Sequence, residues 1–421
     1  MKHCLFVESN TTGTGRLAVE RLLDAGHRVT FLTGTPAKYP FLSAARPGLT
    51  VCELDTNDLA LVLETATEIH RRERLDAVWS FSDFYIETVA ALARSLGLAG
   101  LSPEAARRCR NKHATRQALA AAGLAVPRFR LVESPEQAEA AAREIDYPAI
   151  VKPPGDSSST GVRRVESPAE LLEHYRHLAA WTKNVRGQKL RGEVLVESFI
   201  DGPEFSVETF TLPGGDTRVI GVTDKHLGVA PHFVETGHDF PSGESPERQS
   251  ALAEAVLAAL AAVGFDFGPA HTEVRWSSSG PTVIEINPRL AGGMIPELVA
   301  HSLGIDLSAA WLAALMGEPV DLAPRRGRCA SIRFLTSERA GRLAGFEGVE
   351  AARAIEGIAE VQISRAAGSA VRPPEDAYDR LGFVIAAADE RSQVGQALAA
   401  AMALLRPVLA ESGPAAEEGG R

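Results

Sequence analysis

Val283-Ile284-Glu285-Ile286-Asn287-Pro288-Arg289 decides the fold of this chain, together with Glu273 twelve residues before Glu285. The glutamates fall on two short runs, His271-Thr272-Glu273-Val274-Arg275-Trp276 and Thr282 to Ile286, which read as neighbouring strands. Between them, Ser277-Ser278-Ser279-Gly280 predicts a hairpin turn. A hairpin of this length brings both carboxylates and the Asn287 amide oxygen to one point. Hard oxygen ligands gathered in this way suit Mg²⁺, which usually keeps several waters and binds substrate phosphates. Arg289 follows within reach, a fixed cation suited to a phosphoryl group in transfer. The plainer reading is a solvated hairpin with two ordinary glutamates.

Upstream, Ala149-Ile150-Val151-Lys152 puts a lysine at the end of an apolar strand. The small polar loop Gly155-Asp156-Ser157-Ser158-Ser159-Thr160-Gly161 follows, whose N–H groups and hydroxyls can fold over phosphates. No Gly-Lys-Ser/Thr closes it, so it is not a Walker A loop. Glu193 to Glu208 reads as strand, tight turn at Asp201-Gly202-Pro203, strand. Glu197 at the first strand's end can accept from an adenine amine, and Glu204 from ribose hydroxyls.

In order and spacing, residues of about 100–300 resemble the ATP-grasp family of carboxylate–amine ligases. The resemblance implies Lys112 and Lys152 as phosphate-binding lysines, and Ser157, Ser158, Ser159 and Gly161 as part of a phosphate lid. It implies an adenine hinge at Glu197 to Ile200, with backbone of Phe199 and Ile200 beside the ring, and Glu204 at the ribose. Glu273, Glu285 and Asn287 match its Mg²⁺ ligands, with Mn²⁺ as a substitute, and Arg289 matches the arginine that steadies an acyl phosphate. Within the family, Thr223-Asp224-Lys225-His226, Glu235 to Ser242 and Arg289-Leu290-Ala291-Gly292-Gly293 look like bacterial L-amino-acid ligases, which make dipeptides. That implies His238, Glu235, Arg289, Gly292 and Gly293 around substrate, with Arg289, Lys152 and His238 in catalysis. The segment 222–240 reads as a loop, and His238 within it is expected to position a carboxylate, to accept a proton, or to bond within its own loop. The chain departs from the dipeptide-ligase pattern, which carries Ser and Ala before its arginine, so Asn287 as a ligand follows the broader family.

The implied fold is α/β: an ATP-grasp fold with an N-terminal Rossmann-like pre-ATP-grasp domain and a small C-terminal α/β appendix. Residues 1–105 alternate strand and helix, as in a doubly wound parallel sheet. Gly13-x-Gly15 lacks the third glycine of a dinucleotide fingerprint and reads as a structural turn or substrate wall. The two ATP-grasp subdomains are expected at 106–185 and 186–323, the C-terminal subdomain at 324–408, and a disordered tail at 409–421.

A chain of 421 residues with 45% apolar and 23% charged residues is ordinary for a multi-domain enzyme. A net charge of −10 with no basic block argues against a nucleic-acid surface. No apolar run has the length of a membrane span. Four scattered cysteines without a CxxC pair suit a reducing cytoplasm. His226, His232, Glu235 and His238 are close enough to suggest zinc, but they lack helical spacing and fit a polar substrate-facing loop better.

The expected partners are therefore small carboxylates and amines with ATP and Mg²⁺, without nucleic acid or membrane, and with a homodimer left open. The expected reaction is ATP-dependent amide formation through an acyl phosphate. A carboxylase or purine-pathway ligase of the same superfamily, and a non-catalytic ATP sensor, are the alternatives. No Ala-Met-Lys-Met biotinylation motif occurs.

Overall fold

The computed structural model describes residues 1–10, 14–43, 45–157, 159–228 and 234–410. Ser158, His232 and residues 411–421 lie outside them, as does the start of the Gly13-x-Gly15 turn. The chain groups into two compact units that interleave in sequence. The first holds Met1–Thr223, Ser242–Glu297 and Ile305–Ala323. The second holds Asp224–Pro241, Leu298–Gly304 and Pro324–Arg421.

The first unit begins with β1 (His3–Val7), α1 (Thr14–Asp24), β2 (Arg28–Thr33), β3 (Leu49–Glu53), α2 (Leu59–Arg72), β4 (Ala77–Trp79) and α3 (Ile86–Leu96). The strands form a parallel sheet of order β3-β2-β1-β4. Every residue of β1 is buried, which is why His3-Cys4-Leu5-Phe6-Val7 shows no polar alternation. Next come α4 (Pro103–Arg110), α5 (Lys112–Ala121), β5 (Phe129–Val132), α6 (Pro135–Glu144), β6 (Ala149–Lys152), β7 (Arg163–Val165), α7 (Pro168–Ala179) and β8 (Val194–Ser198). The second sheet is antiparallel, β5-β8-β6-β7, and α6 and α7 close a core over it.

The third sheet uses β9 (Glu204–Thr211), β10 (Thr217–Leu227) and, after β11 (Glu235–Phe240) and α8 (Pro246–Val263), β12 (Gly268–Ser277) and β13 (Gly280–Asn287). Within the first unit its order is β13-β12-β9-β10. Leu252, Val256, Ala259, Leu260 and Val263 of α8 recur at helical spacing and pack on it. Four helices start with one device. Ser102, Ser134, Ser167 and Ser245 each accept an N–H from three residues on, and each precedes a proline at the first helical position.

Past α9 (Ile295–Leu303) and α10 (Leu307–Leu315) come β14 (Cys329–Leu335), β15 (Gly341–Glu347), α11 (Val349–Arg353), β16 (Ile358–Ile363), β17 (Ala370–Val371), β18 (Gly382–Ala388), α12 (Arg391–Leu404) and β19 (Arg406–Leu409). In the second unit the order is β11-β14-β18-β16, and α12 covers the wholly buried β18. Leu409, placed at the head of the expected tail, belongs to β19.

The stretch expected as a loop at 222–240 is corrected. Its described ends are strands β10 and β11, paired antiparallel with Lys225 opposite His238 and Asp224 opposite Asp239. Its Gly, Asp and His content speaks against a strand, and like charges directly opposite are unfavourable. Cations supply what propensity does not. Arg391 stands 3.5 Å from Asp224 and 3.6 Å from Asp239, and Arg333 reaches Asp239 at 2.8 Å; the His226 ring also hydrogen-bonds Asp239 at 2.8 Å.

Candidate active site

The hairpin forms as its sequence predicts. Glu273 pairs with Glu285, and His271 with Asn287, across β12 and β13. Two carboxylates in register repel unless a cation stands between or beside them. Lys112, at the head of α5, meets Glu285 at 3.0 Å, and His271 stands 3.5 Å from Glu273. His271 also bonds Glu208 at 2.9 Å. Burial would lower the His271 pKa, but the glutamates outweigh it and raise it to about 9. The Asn287 Oδ1 atom is buried and has no hydrogen-bond partner. Two carboxylates in register with an unpartnered amide oxygen beside them fit Mg²⁺, a cation held by oxygen. Among the described residues, no three His, Cys, Asp or Glu side chains gather as a metal cluster.

Lys112 holds more than Glu285. Its N–H donates to the Pro154 carbonyl and its Nζ to the Asp156 carbonyl, both at 2.8 Å. The head of α5 is thereby tied to the start of the polar loop. One helical turn on, Arg116 is fully buried and donates to Glu197 at 2.6 Å and to the Ile284 carbonyl at 2.8 Å. The i, i+4 spacing of Lys112 and Arg116 was the available signal for Arg116.

Glu197 and Lys152 meet each other. Lys152, expected at phosphates, pairs with Glu197 at 2.5 Å, and both are buried. Burial would push the Glu197 pKa up, but Arg116 and Lys152 outweigh it and hold it at about 2. Burial lowers the Lys152 pKa against the pull of Glu197. The carboxylate expected to meet an adenine amine thus already serves two cations, and Lys152 is oriented along with it. A group whose folded pKa lies below its unfolded 4.5 stabilises above that value and loses the effect as pH falls toward about 2. Glu197→Gln is expected to cost roughly 3 kcal/mol at neutral pH, since a buried pair loses one partner. Its stability should then vary less than wild type between pH 5 and 2. Urea midpoints across that range test this, and parallel curves for the two proteins would contradict it.

Glu204 is likewise engaged, accepting Arg275 Nε at 3.0 Å. Arg275 also donates to the Ile200 carbonyl at 2.9 Å, and Phe199 N–H donates to the Pro148 carbonyl. The hinge therefore keeps the Phe199 carbonyl and the Ile200 N–H for a base. A cleft of about 530 Å³ beside the hinge is lined by residues such as Pro127, Ile200, Trp276 and Ser278. None of the lysines or metal-type oxygens lines it.

In the polar loop, Ser157 and Asp156 are buried, and Ser159 and Gly161 take positive φ. A Cβ at Gly161 would meet Leu178 and Trp181 within 3 Å, so glycine is required there. The Ser157 hydroxyl, expected at phosphates, donates instead to Asp83 at 2.7 Å. Arg289, expected as a fixed cation for a phosphoryl group, makes a two-point pair with the same Asp83. Asp83 follows the end of β4, a usual address for functional side chains in parallel sheets. Gly292 has open space where a Cβ would stand, and Gly293 takes φ +60°.

The second unit carries its own charge cluster. Glu235 pairs with Lys225 and Arg380, each at 3.0 Å. Arg380 lies 3.6 Å over the Phe334 ring, and His238 meets the edge of that ring. His238 is 1% exposed on β11 with Glu235 3.7 Å away, so it is a buried strand residue and not the loop residue expected.

The ATP-grasp domain family matches residues 145–297, and the ATP-grasp N-terminal domain family residues 23–100. The L-amino acid ligase C-terminal domain 2 family matches residues 333–410. The chain belongs to the ATP-grasp family. A biotin carboxylase domain of similar fold from Hydrogenobacter thermophilus (TM-score 0.71, 16% identity, over 96% of this chain and 91% of the other) was solved with MgADP. This ATP-grasp protein is 34% identical to the uncharacterized protein y4rH of Sinorhizobium fredii (strain NBRC 101917 / NGR234), over 93% of the chain and 80% of that protein. It is 26% identical to alanine–anticapsin ligase of Bacillus subtilis (strain 168), over 62% of the chain and 58% of that enzyme. Its fold is similar to that of an L-amino acid ligase from Bacillus licheniformis. The TM-score is 0.83 at 23% identity, over 98% of this chain and 99% of the other. The expected ATP-grasp fold with an N-terminal parallel-sheet domain and a small C-terminal α/β domain is the one found, and the C-terminal domain matches the L-amino acid ligase family.

Proposed function

We propose that this ATP-grasp protein joins a small carboxylate, an amino acid, to an amine, forming a peptide-type amide with release of ADP and phosphate. The observation that carries the proposal is the meeting of Lys112 with the hairpin that carries Glu273, Glu285 and the unpartnered Asn287 oxygen. The L-amino acid ligase C-terminal match and the likeness to alanine–anticapsin ligase support amide formation over other ATP-grasp chemistry.

A carboxylate is a poor electrophile. Transfer of the ATP γ-phosphoryl group to it makes an acyl phosphate and ADP. The amine then attacks the acyl carbon, loses a proton, and phosphate leaves. Glu273, Glu285 and Asn287 would hold Mg²⁺, which when bound offsets the charge of the phosphate oxygens. Lys112, tied to the Asp156 carbonyl beside the hairpin, would offer its charge to the nucleotide phosphates. Lys152 is held in place by Glu197, ready for a phosphate. Arg289 offers donors to the phosphoryl oxygens as charge shifts onto the acyl phosphate. No covalent nucleophile is needed, and the residues act by position and charge.

The test is a phosphate-release screen of amino-acid pairs with ATP and Mg²⁺, followed by mass analysis of the products. Release that needs both an acid and an amine and yields an amide supports the proposal. Release with bicarbonate alone points to a carboxylase, and nucleotide binding without release under any pair points to a sensor. ATP is expected to exceed GTP by at least about 10-fold in kcat/KM, because the Ile200 N–H and Phe199 carbonyl match adenine's edge and mismatch guanine's. Equal kcat/KM for the two nucleotides would contradict the hinge assignment.

A further inference from the structure

Asp83 lies in a single 3-10 turn, Asp83–Tyr85, just after β4. Donors from three separate segments of the first unit converge on it. Arg289 donates Nε to Oδ1 at 2.6 Å and Nη2 to Oδ2 at 2.8 Å. The Ser157 hydroxyl donates to Oδ2 at 2.7 Å. Arg110 Nη1 stands 3.8 Å from Oδ1, and its Nη2 bonds the Gly155 carbonyl at 2.9 Å. Burial would raise the Asp83 pKa, but Arg289 and Arg110 outweigh it and hold it well below the usual carboxylate range.

We propose that Asp83 is a positioning residue for phosphoryl transfer, clamping Arg289 so that its remaining N–H donors point in one fixed direction. The proposal rests on the role given to Arg289 above. A guanidinium has five N–H donors. Here Nε and one N–H of Nη2 go to Asp83, and one N–H of Nη1 goes to the Leu290 carbonyl at 2.9 Å. One N–H on each Nη is left over. Two such charged donors suit the oxygens of a phosphoryl group. A two-point pair on the side edge fixes the plane of the group, and a fixed donor costs no reorganisation when charge develops. The same carboxylate takes the Ser157 hydroxyl, so the start of the polar loop and the arginine share one anchor. Asparagine at this position keeps the shape but turns an N–H toward one arginine N–H, so the two-point pair is lost.

The experiment is a double-mutant cycle with Asp83→Asn, Arg289→Ala and the double variant. MgATP affinity is measured by calorimetry and kcat with the acid–amine pair found in the screen. Asp83→Asn is expected to lower kcat by about 10–100-fold, as loss of an orienting partner does, with MgATP affinity within about twofold of wild type, since orientation is a transition-state effect. In the Arg289→Ala background the same change should add nothing. Asp83→Glu, which keeps the charge, should recover part of the loss. An independent arm measures inorganic phosphate binding to the MgADP-loaded protein, which needs no acid or amine. Asp83→Asn should weaken it, and again only when Arg289 is present. Additive losses in the cycle, a loss that follows MgATP affinity, or unchanged phosphate binding would overturn the proposal. If wild type makes no amide, the ligase reading fails, and the phosphate arm still decides the role of Asp83.

Discussion

Glu285→Gln is expected to abolish nearly all ATP-dependent turnover while the protein stays folded. The carboxylate is one of two that would hold Mg²⁺, and it faces Glu273 directly across the hairpin. The amide keeps the size of the side chain and removes its charge. Losing one anionic ligand should lower kcat by at least about 10²-fold, since even outer-shell partners of a metal site are worth 10–100-fold. Two stability effects oppose each other. The ion pair with Lys112 is lost, and the repulsion between Glu285 and Glu273 is relieved. Lys112 retains its bond to the Asp156 carbonyl, so it is not left unpartnered. Each term is on the order of 1 kcal/mol or less, so the melting temperature should move by only a few degrees. Undiminished turnover at saturating Mg²⁺ would contradict the metal assignment. A collapsed melting temperature would mean that Glu285 is structural.

Arg289→Ala is expected to lower kcat by about 10²–10³-fold, the usual loss when a preorganised donor to a developing charge is removed. Nucleotide affinity should stay within a few fold, because Lys112, Lys152 and the hinge are untouched. Alanine also leaves Asp83 with only Arg110 as a cation and Ser157 as a donor. Removing one side of a buried ion pair typically costs roughly 3–5 kcal/mol. Arg289→Lys separates the two effects. Lysine restores a charge beside Asp83 but lacks the planar fork. It should fold like wild type and remain catalytically impaired. Calorimetry with MgATP and phosphate release on the same samples test this. Full activity in Arg289→Lys would show that charge alone suffices and that the fork is not used. Loss of MgATP binding in step with kcat would make Arg289 a nucleotide residue.

Features local in sequence were legible before the structure. The Glu273–Glu285 hairpin follows from two β-rich runs around Ser277-Ser278-Ser279-Gly280, and the structure pairs the two glutamates directly. Helices α6 and α8 carry Ser-Pro starts and apolar spacing, which are signals local in sequence. What escaped was the choice of partners. Glu197 meets Arg116 from 81 residues away, and Arg289 meets Asp83 from 206 residues away. Such contacts leave no periodic mark along the chain. The cations expected at phosphates, Lys112, Lys152 and Arg289, each sit on a carboxylate that the sequence did not point to. A buried cation without a partner would be costly, so compensation inside the protein was to be expected. Strands β10 and β11 escaped for a related reason. Their Asp, His and Gly residues have weak strand propensity, and cations distant in sequence hold them in register.

The acyl phosphate is the central claim, and oxygen tracing tests it most directly. The carboxylate substrate found in the screen is labelled with ¹⁸O in both oxygens and turned over with ATP, Mg²⁺ and the amine. If the carboxylate attacks the γ-phosphorus, one labelled oxygen must leave with each phosphate released, and the amide keeps the other. One ¹⁸O per inorganic phosphate, with ADP as the nucleotide product, is the expected result. Unlabelled phosphate, or AMP and pyrophosphate in place of ADP and phosphate, would contradict it.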